Sequence, residues 1–72
     1  MKKIRIGNYR IEERYDASYD EAYYDVFLLK PHNSEEIIWL YIGELDYFDV
    51  ERYIVDGEVI DENAIIDLIE CI

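Results

Sequence analysis

Apart from its carboxylates, this 72-residue chain has few side chains able to do covalent or acid–base chemistry. It holds one histidine, His32, one cysteine, Cys71, and two serines, Ser18 and Ser34. His32 lies in the turn-forming run Pro31-His-Asn-Ser34 and reads as a solvated side chain. Cys71 closes an amphipathic stretch and reads as a half-buried small hydrophobe. Neither serine sits in a nucleophile motif, and no spacing brings Cys71 to His32, so nucleophilic catalysis lacks its parts. The glycines Gly7, Gly43 and Gly57 are isolated and make no phosphate-cradling loop. A hydrolytic carboxylate pair needs a cleft that so short a chain rarely makes. Asp56-Gly57-Glu58 to Glu62 lacks the alternating ligands of an EF-hand. No enzyme, no metal centre and no cofactor are expected.

The carboxylates are informative in another way. From Tyr15 to Ile72 there are 16 acidic residues against two basic ones, Lys30 and Arg52. The first 14 residues carry the opposite sign, with Lys2, Lys3, Arg5, Arg10 and Arg14 against Glu12 and Glu13. The net charge of −11 costs stability through self-repulsion, and attraction to a basic partner is the usual reason for keeping it. It argues against direct binding of DNA, RNA or anionic membrane, which need positive surface. Acids recur at i, i+2 in Glu44/Asp46, Asp49/Glu51 and Asp56/Glu58. In an extended chain such pairs lie about 6.6 Å apart on one face, comparable to neighbouring phosphates on a nucleic-acid strand. The plainer reading is an ordinary solvated strand face, but that leaves the near absence of compensating Lys or Arg unexplained. Tyrosines adjoin acids in Tyr15-Asp16, Tyr19-Asp20, Tyr24-Asp25 and Asp46-Tyr47, and tyrosine suits contact surfaces. Tyr9 and Tyr24 are expected in the core, and Tyr15, Tyr19 and Tyr47 at the surface.

The elements that must position these groups begin with a hairpin. Gly7-Asn8 is a two-residue turn, which sets Ile6 opposite Tyr9, Ile4 opposite Ile11, Arg5 opposite Arg10 and Lys3 opposite Glu12. The basic first strand then either neutralises acids across the sheet, as Lys3–Glu12 suggests, or gives the molecule a dipole. The second strand runs to about Tyr15. Residues 16–22 form a loop in which Ser18 and Glu21 could cap a short helical turn. A third strand spans about 23–30. A fourth, 36–42, is apolar on both faces and is expected inside the sheet or under a cover. The segment 47–60 supports two readings: a helix capped by Asp46 or Asp49 and ended by Gly57, or a hairpin turning at Asp56-Gly57. Asp61 is an N-cap with Ile60 and Ile65 as a staple, and Ile65, Leu68, Ile69 and Ile72 form a helical apolar stripe. The fold class is α+β: a small antiparallel sheet of about four strands, meander-like, with a C-terminal helix packed on one face.

Residues 1–72 read as a single domain. Its apolar fraction of 51% is too high for a disordered chain, and 12 isoleucines, eight tyrosines, Trp39, Phe27 and Phe48 supply the bulk for a core. A lone cysteine fits a reducing compartment. No apolar run follows the basic N-terminus to make a signal peptide, and none is long enough to span a membrane, so the cytoplasm is the expected location.

Small size, high negative charge, the absence of a catalytic set and surface tyrosines together resemble the DNA-mimic inhibitors of bacteriophages and mobile elements. That group includes anti-CRISPR proteins and inhibitors of uracil-DNA glycosylase, of restriction enzymes and of the histone-like protein HU. The resemblance is one of composition and aligns no residue. It implies stoichiometric inhibition, with an acidic face in the nucleic-acid groove of a basic, nucleic-acid-binding host protein. On that reading Asp16, Asp20, Glu21, Glu44, Asp46, Asp49 and Glu51 stand in for phosphates, with Tyr19 and Tyr47 as anchors. The alternative is an acidic interaction module or small regulatory subunit that binds its partner by shape, through an apolar patch or a sheet edge. A homodimer through the helix or an open strand edge fits either. Continuity separates the two, since a mimic needs its carboxylates gathered on one surface.

Overall fold

The computed structural model describes residues 2–31 and 37–72; His32, Ser34 and the strand start expected at Glu36 lie outside the described residues. Strands β1 (Lys3–Ile6), β2 (Tyr9–Asp16), β3 (Glu21–Pro31) and β4 (Ile37–Asp46) form one antiparallel sheet in the order β1-β2-β3-β4. Helix α1 (Tyr47–Glu51), the two-residue strands β5 (Ile54–Val55) and β6 (Glu58–Val59), and helix α2 (Glu62–Glu70) follow. The result is a small α+β fold, mostly sheet.

The first hairpin has the register that its turn dictates. Gly7 takes φ 57° at the first turn position, as a II′ turn requires, and every pair from Lys3↔Glu12 to Ile6↔Tyr9 forms. Between β2 and β3 there is a tight turn, and the short helical turn that Ser18 and Glu21 could have capped does not form. The Asp16 carboxylate accepts the Ser18 N–H at 2.9 Å, and Asp20 closes the turn at φ 52°. β2 therefore runs one residue further and β3 starts two residues earlier than the expected loop allowed, with Asp16 opposite Glu21.

Pairing sorts the sheet into rows on two faces. One face carries Ile4–Ile11–Val26–Gly43, Ile6–Tyr9–Leu28–Leu40 and Glu13–Tyr24–Leu45. Its Ile6, Ile11, Tyr24, Val26 and Leu45 are buried in one cluster with Val50 of α1 and Ile65 and Ile69 of α2. Asp61 caps α2 as expected, its carboxylate accepting the Ala64 N–H at 3.1 Å. Ile60 stays exposed, so the staple expected with Ile65 is not buried. Cys71 is exposed as well, since α2 ends at Glu70 and leaves it as the C-cap.

Of the two readings of residues 47–60, the helix holds only for its first turn and is not ended by Gly57, and the hairpin turning at Asp56-Gly57 follows it. Asp46 caps α1 by accepting the Phe48 and Asp49 N–H groups, and the helix stops at Glu51. Asp56 (φ 53°) and Gly57 (φ 80°) then turn the β5–β6 hairpin with both central residues left-handed.

The fourth strand departs from expectation twice. It runs on through Glu44 to Asp46, and it lies at the edge of the sheet, where Ile37, Ile38, Leu40 and Tyr41 are exposed. A four-strand meander leaves its last strand with an open side whatever its sequence. The extension is made at Gly43, where a register shift between Val26 and Phe27 absorbs one residue of β4. Gly43 has φ 148°, and a Cβ there would fall 2.6 Å from Cγ2 of Ile72. Gly43→Ala is expected to lower stability by about 1–3 kcal/mol, measured by urea denaturation. Adding Ile72→Ala removes the clash but not the backbone strain, so most of the loss should persist in the double variant.

Candidate acidic binding surface

The other face of the sheet is polar and divided along the strands. At one end the row Arg5–Arg10–Phe27–Tyr41 collects cations and rings. The middle row is Lys3–Glu12–Asp25–Glu44, next comes Arg14–Tyr23–Asp46, and Asp16–Glu21 closes the far end. Arg5 and Arg10, like charges placed opposite each other, both lie over the Trp39 ring, at 5.1 and 4.5 Å. Arg10 also covers Phe27 at 4.9 Å.

The centre of this face is Glu12, whose side chain is only 5% exposed. Its oxygens lie 3.1 Å from Arg10, 3.3 Å from Arg14 and 3.6 Å from Lys3. Arg14 also reaches Asp25 at 3.3 Å. The basic hairpin thus does both things considered for it: it neutralises Glu12 and Asp25, and it leaves the sheet with a basic end and an acidic end.

The acidic end is built by pairing. Asp16 and Glu21 are cross-strand partners, and Glu44 and Asp46 extend on one face of β4, the geometry that i, i+2 spacing gives a strand. These four carboxylates, with Ala22, Tyr23 and Leu45, line a concavity of about 370 Å³. A second concavity of about 380 Å³ adjoins it, sharing Glu21, Ala22 and Asp46 and adding Tyr15, Asp20, Tyr47 and Phe48. Among the described residues, no Lys or Arg lies within 4 Å of Asp16, Asp20, Glu21, Glu44 or Asp46. Two tyrosine hydroxyls, Tyr15 at this end and Tyr41 in the basic row, hold their protons more tightly than usual. The hydrogen bond to Asp20, then burial and the Asp16 charge, push the Tyr15 hydroxyl above its usual pKa. Burial, with Glu44 and Asp25 nearby, does the same to Tyr41. Among the described residues, no group of three His, Cys, Asp or Glu side chains is disposed to hold a metal ion, and no helix is long and apolar enough to cross a membrane.

Four of the sequence candidates are placed differently. Tyr19 is exposed on the same turn as Asp20 but lines neither concavity. Tyr47, expected at the surface, is half-buried and stacks on Tyr24 with centroids 5.8 Å apart. Asp49 and Glu51 lie on α1, where i, i+2 residues point apart, so they do not form a phosphate-like pair. Asp49 stands 3.9 Å from Arg52. Glu51 accepts the Tyr24 hydroxyl at 2.5 Å and the Lys2 ammonium at 2.8 Å, which ties the N-terminus to α1. Its carboxylate is a structural clamp. Phe48, expected to add bulk to the core, is instead 74% exposed and lines the second concavity, because it follows the Asp46 cap on the first turn of α1.

The clamp gives the protein a pH signature. Burial penalises the Glu51 carboxylate, but hydrogen bonds from Lys2 and Tyr24 and the Lys2 charge outweigh it and lower its pKa. Its contribution is therefore present above the unfolded carboxylate value of about 4.3 and is lost as pH falls through the folded one. The Glu51 hydrogen bond raises Lys2, while burial and then the Glu51 bond raise Tyr24. Both contributions are present below about pH 10 and fade as pH rises through the folded values. The stability difference between wild type and Glu51→Gln should be about 1–2 kcal/mol at neutral pH and shrink at both extremes. Denaturant titrations of the pair from pH 3 to pH 11 check this, and taking the difference removes the repulsion common to the two proteins.

Comparison with known proteins found no matching family model, no matching curated protein and no matching solved structure.

Proposed function

We propose that this protein is a nucleic-acid mimic, a stoichiometric, non-catalytic inhibitor. Its acidic sheet end occupies the DNA- or RNA-binding groove of a basic host protein in the cytoplasm. The observation that carries the reading is the contiguous set Asp16, Asp20, Glu21, Glu44 and Asp46 around two adjoining concavities, with no described cation within salt-bridge distance. A solvated surface kept acidic only for solubility has no reason to segregate its charges. Here the described cations are drawn to Glu12, Asp25, Asp49 and Glu51; the acidic end has none, and it differs from the other unpaired carboxylates of the hairpin and α2 in gathering around the two concavities. Ile65 and Ile69 of α2 join the core cluster on the apolar face, and this reading gives the polar face to the partner. Opposite charge would make association fast and salt-sensitive.

One observation favours a second reading, an interaction module that binds by shape. The edge strand β4 exposes Ile37, Ile38, Leu40 and Tyr41, and an open apolar edge is a template for another strand, from a partner or a second copy. Capture from a bacterial lysate separates the two. The immobilised chain is compared with the variant D16N/E21Q/E44Q/D46N under a salt gradient. Retention of nucleic-acid-binding proteins, released by salt and lost in the variant, supports the mimic. Retention of a partner indifferent to both salt and substitution, and lost on Leu40→Lys at the edge, supports the module.

A further inference from the structure

We infer that the concavity between the β2–β3 turn and the start of α1 is a receptor for one arginine side chain. The inference deepens the reading of the acidic end and rests on it for the identity of the partner. Its walls are aromatic. Tyr47 and Phe48 meet at 87° with centroids 5.4 Å apart, forming a corner, and the Tyr15 ring borders the same space of about 380 Å³. That volume lies at the low end of small-ligand clefts and admits a single side chain.

The rim is anionic. Asp20, Glu21 and Asp46 line this space, and the Asp20 carboxylate accepts the Tyr15 hydroxyl, which fixes that ring beside it. Asp46 turns Oδ2 to the backbone N–H groups of α1, which leaves Oδ1 free of them. Phe48 and Tyr15 are 74% and 51% exposed, a large apolar area to leave in water on so small a protein.

Rings at right angles under uncompensated carboxylates specify a cation with a flat face. A guanidinium stacks on aromatic rings, donates forked hydrogen bonds to carboxylates and is weakly hydrated, so it enters at low desolvation cost. An ammonium is a compact, strongly hydrated charge that gains less from the rings. The pocket therefore selects arginine over lysine, and a basic partner would place one arginine here while its other cations face the open carboxylates.

The test uses the whole chain and three capped amino acids: N-acetyl-arginine amide, its lysine counterpart and the neutral isostere N-acetyl-citrulline amide. Each is titrated while the aromatic NMR signals are followed. The arginine probe is expected to shift Tyr15, Tyr47 and Phe48 with saturation, the lysine probe more weakly, and citrulline not at all. Phe48→Ala should weaken arginine binding roughly three- to fivefold while the rest of the spectrum stays folded, and Asp20→Asn should weaken it similarly. Equal binding of all three probes, or arginine binding unaffected by Phe48→Ala, overturns the inference. Absence of arginine binding from a chain that still displaces nucleic acid from its partner overturns the pocket alone. Arginine binding by a chain that displaces nothing upholds the pocket and removes the mimic.

Discussion

Glu12→Ala is expected to lower the unfolding free energy by about 3 kcal/mol, the largest loss from any single substitution on the polar face of the sheet. The carboxylate is nearly fully buried, and Lys3, Arg10 and Arg14 all converge on it. Its removal leaves three like charges together with only Asp25, which pairs with Arg14, beside them. Arg10 suffers most, since its Nε is already buried without a hydrogen-bond partner and its guanidinium is held against Phe27 and Trp39. Lys3 and Arg14 are more exposed, at 69% and 39%, and can turn to water, which keeps the loss at the low end for a broken buried pair. Glu12→Gln, which keeps the shape and one acceptor, should cost less than half as much. Urea denaturation of the three proteins decides it; a loss below about 1 kcal/mol for Glu12→Ala would mean that the cluster is an ordinary surface network.

The variant D16N/E21Q/E44Q/D46N is expected to bind the partner roughly 30- to 1,000-fold more weakly, at no cost in stability. Each substitution is nearly isosteric. Asn caps helices as well as Asp, so α1 keeps the acceptor for the Phe48 and Asp49 N–H groups. Removing four uncompensated charges from a chain of net charge −11 relieves repulsion, so its thermal midpoint should hold or rise. The dependence of log affinity on log salt should become shallower, because fewer counterions are exchanged on binding. Isothermal titration at several salt concentrations measures both. Unchanged affinity with an unchanged salt slope would place the contact elsewhere, the edge of β4 first.

Much of this was legible where the chain states its geometry locally. Gly7-Asn8 with alternating flanks fixed the β1–β2 register, and Asp61 with Ile65 and Ile69 fixed the start and buried side of α2, while Ile72, the last of the expected stripe, lies past the end of the helix and is exposed. The polar cluster was half legible: Lys3 opposite Glu12 follows from the turn, and Arg10 and Arg14 flank Glu12 at i±2 on the same face. What local pattern cannot state is strand order. Ile37 to Ile42 reads as buried because both of its faces are apolar, yet the meander places it at an edge. Nor does i, i+2 spacing say whether the backbone is extended. It is extended at Glu44/Asp46, which face one concavity, and helical at Asp49/Glu51, where Glu51 turns inward to Tyr24 and Lys2. Sequence selection of Asp16, Asp20, Glu21, Glu44 and Asp46 met at one end of the sheet because the tight turn pairs Asp16 with Glu21 and the Gly43 irregularity carries β4 alongside them.

The central claim is that the acidic end competes with nucleic acid for one groove, and a displacement titration tests it most directly. A protein retained from lysate is loaded with a fluorescent duplex or single strand, and the chain is added while anisotropy is recorded. Loss of the bound signal, complete near one chain per binding site and absent for D16N/E21Q/E44Q/D46N at the same concentration, is the predicted result. A ternary complex, in which the chain binds and the nucleic acid stays in place, would contradict it.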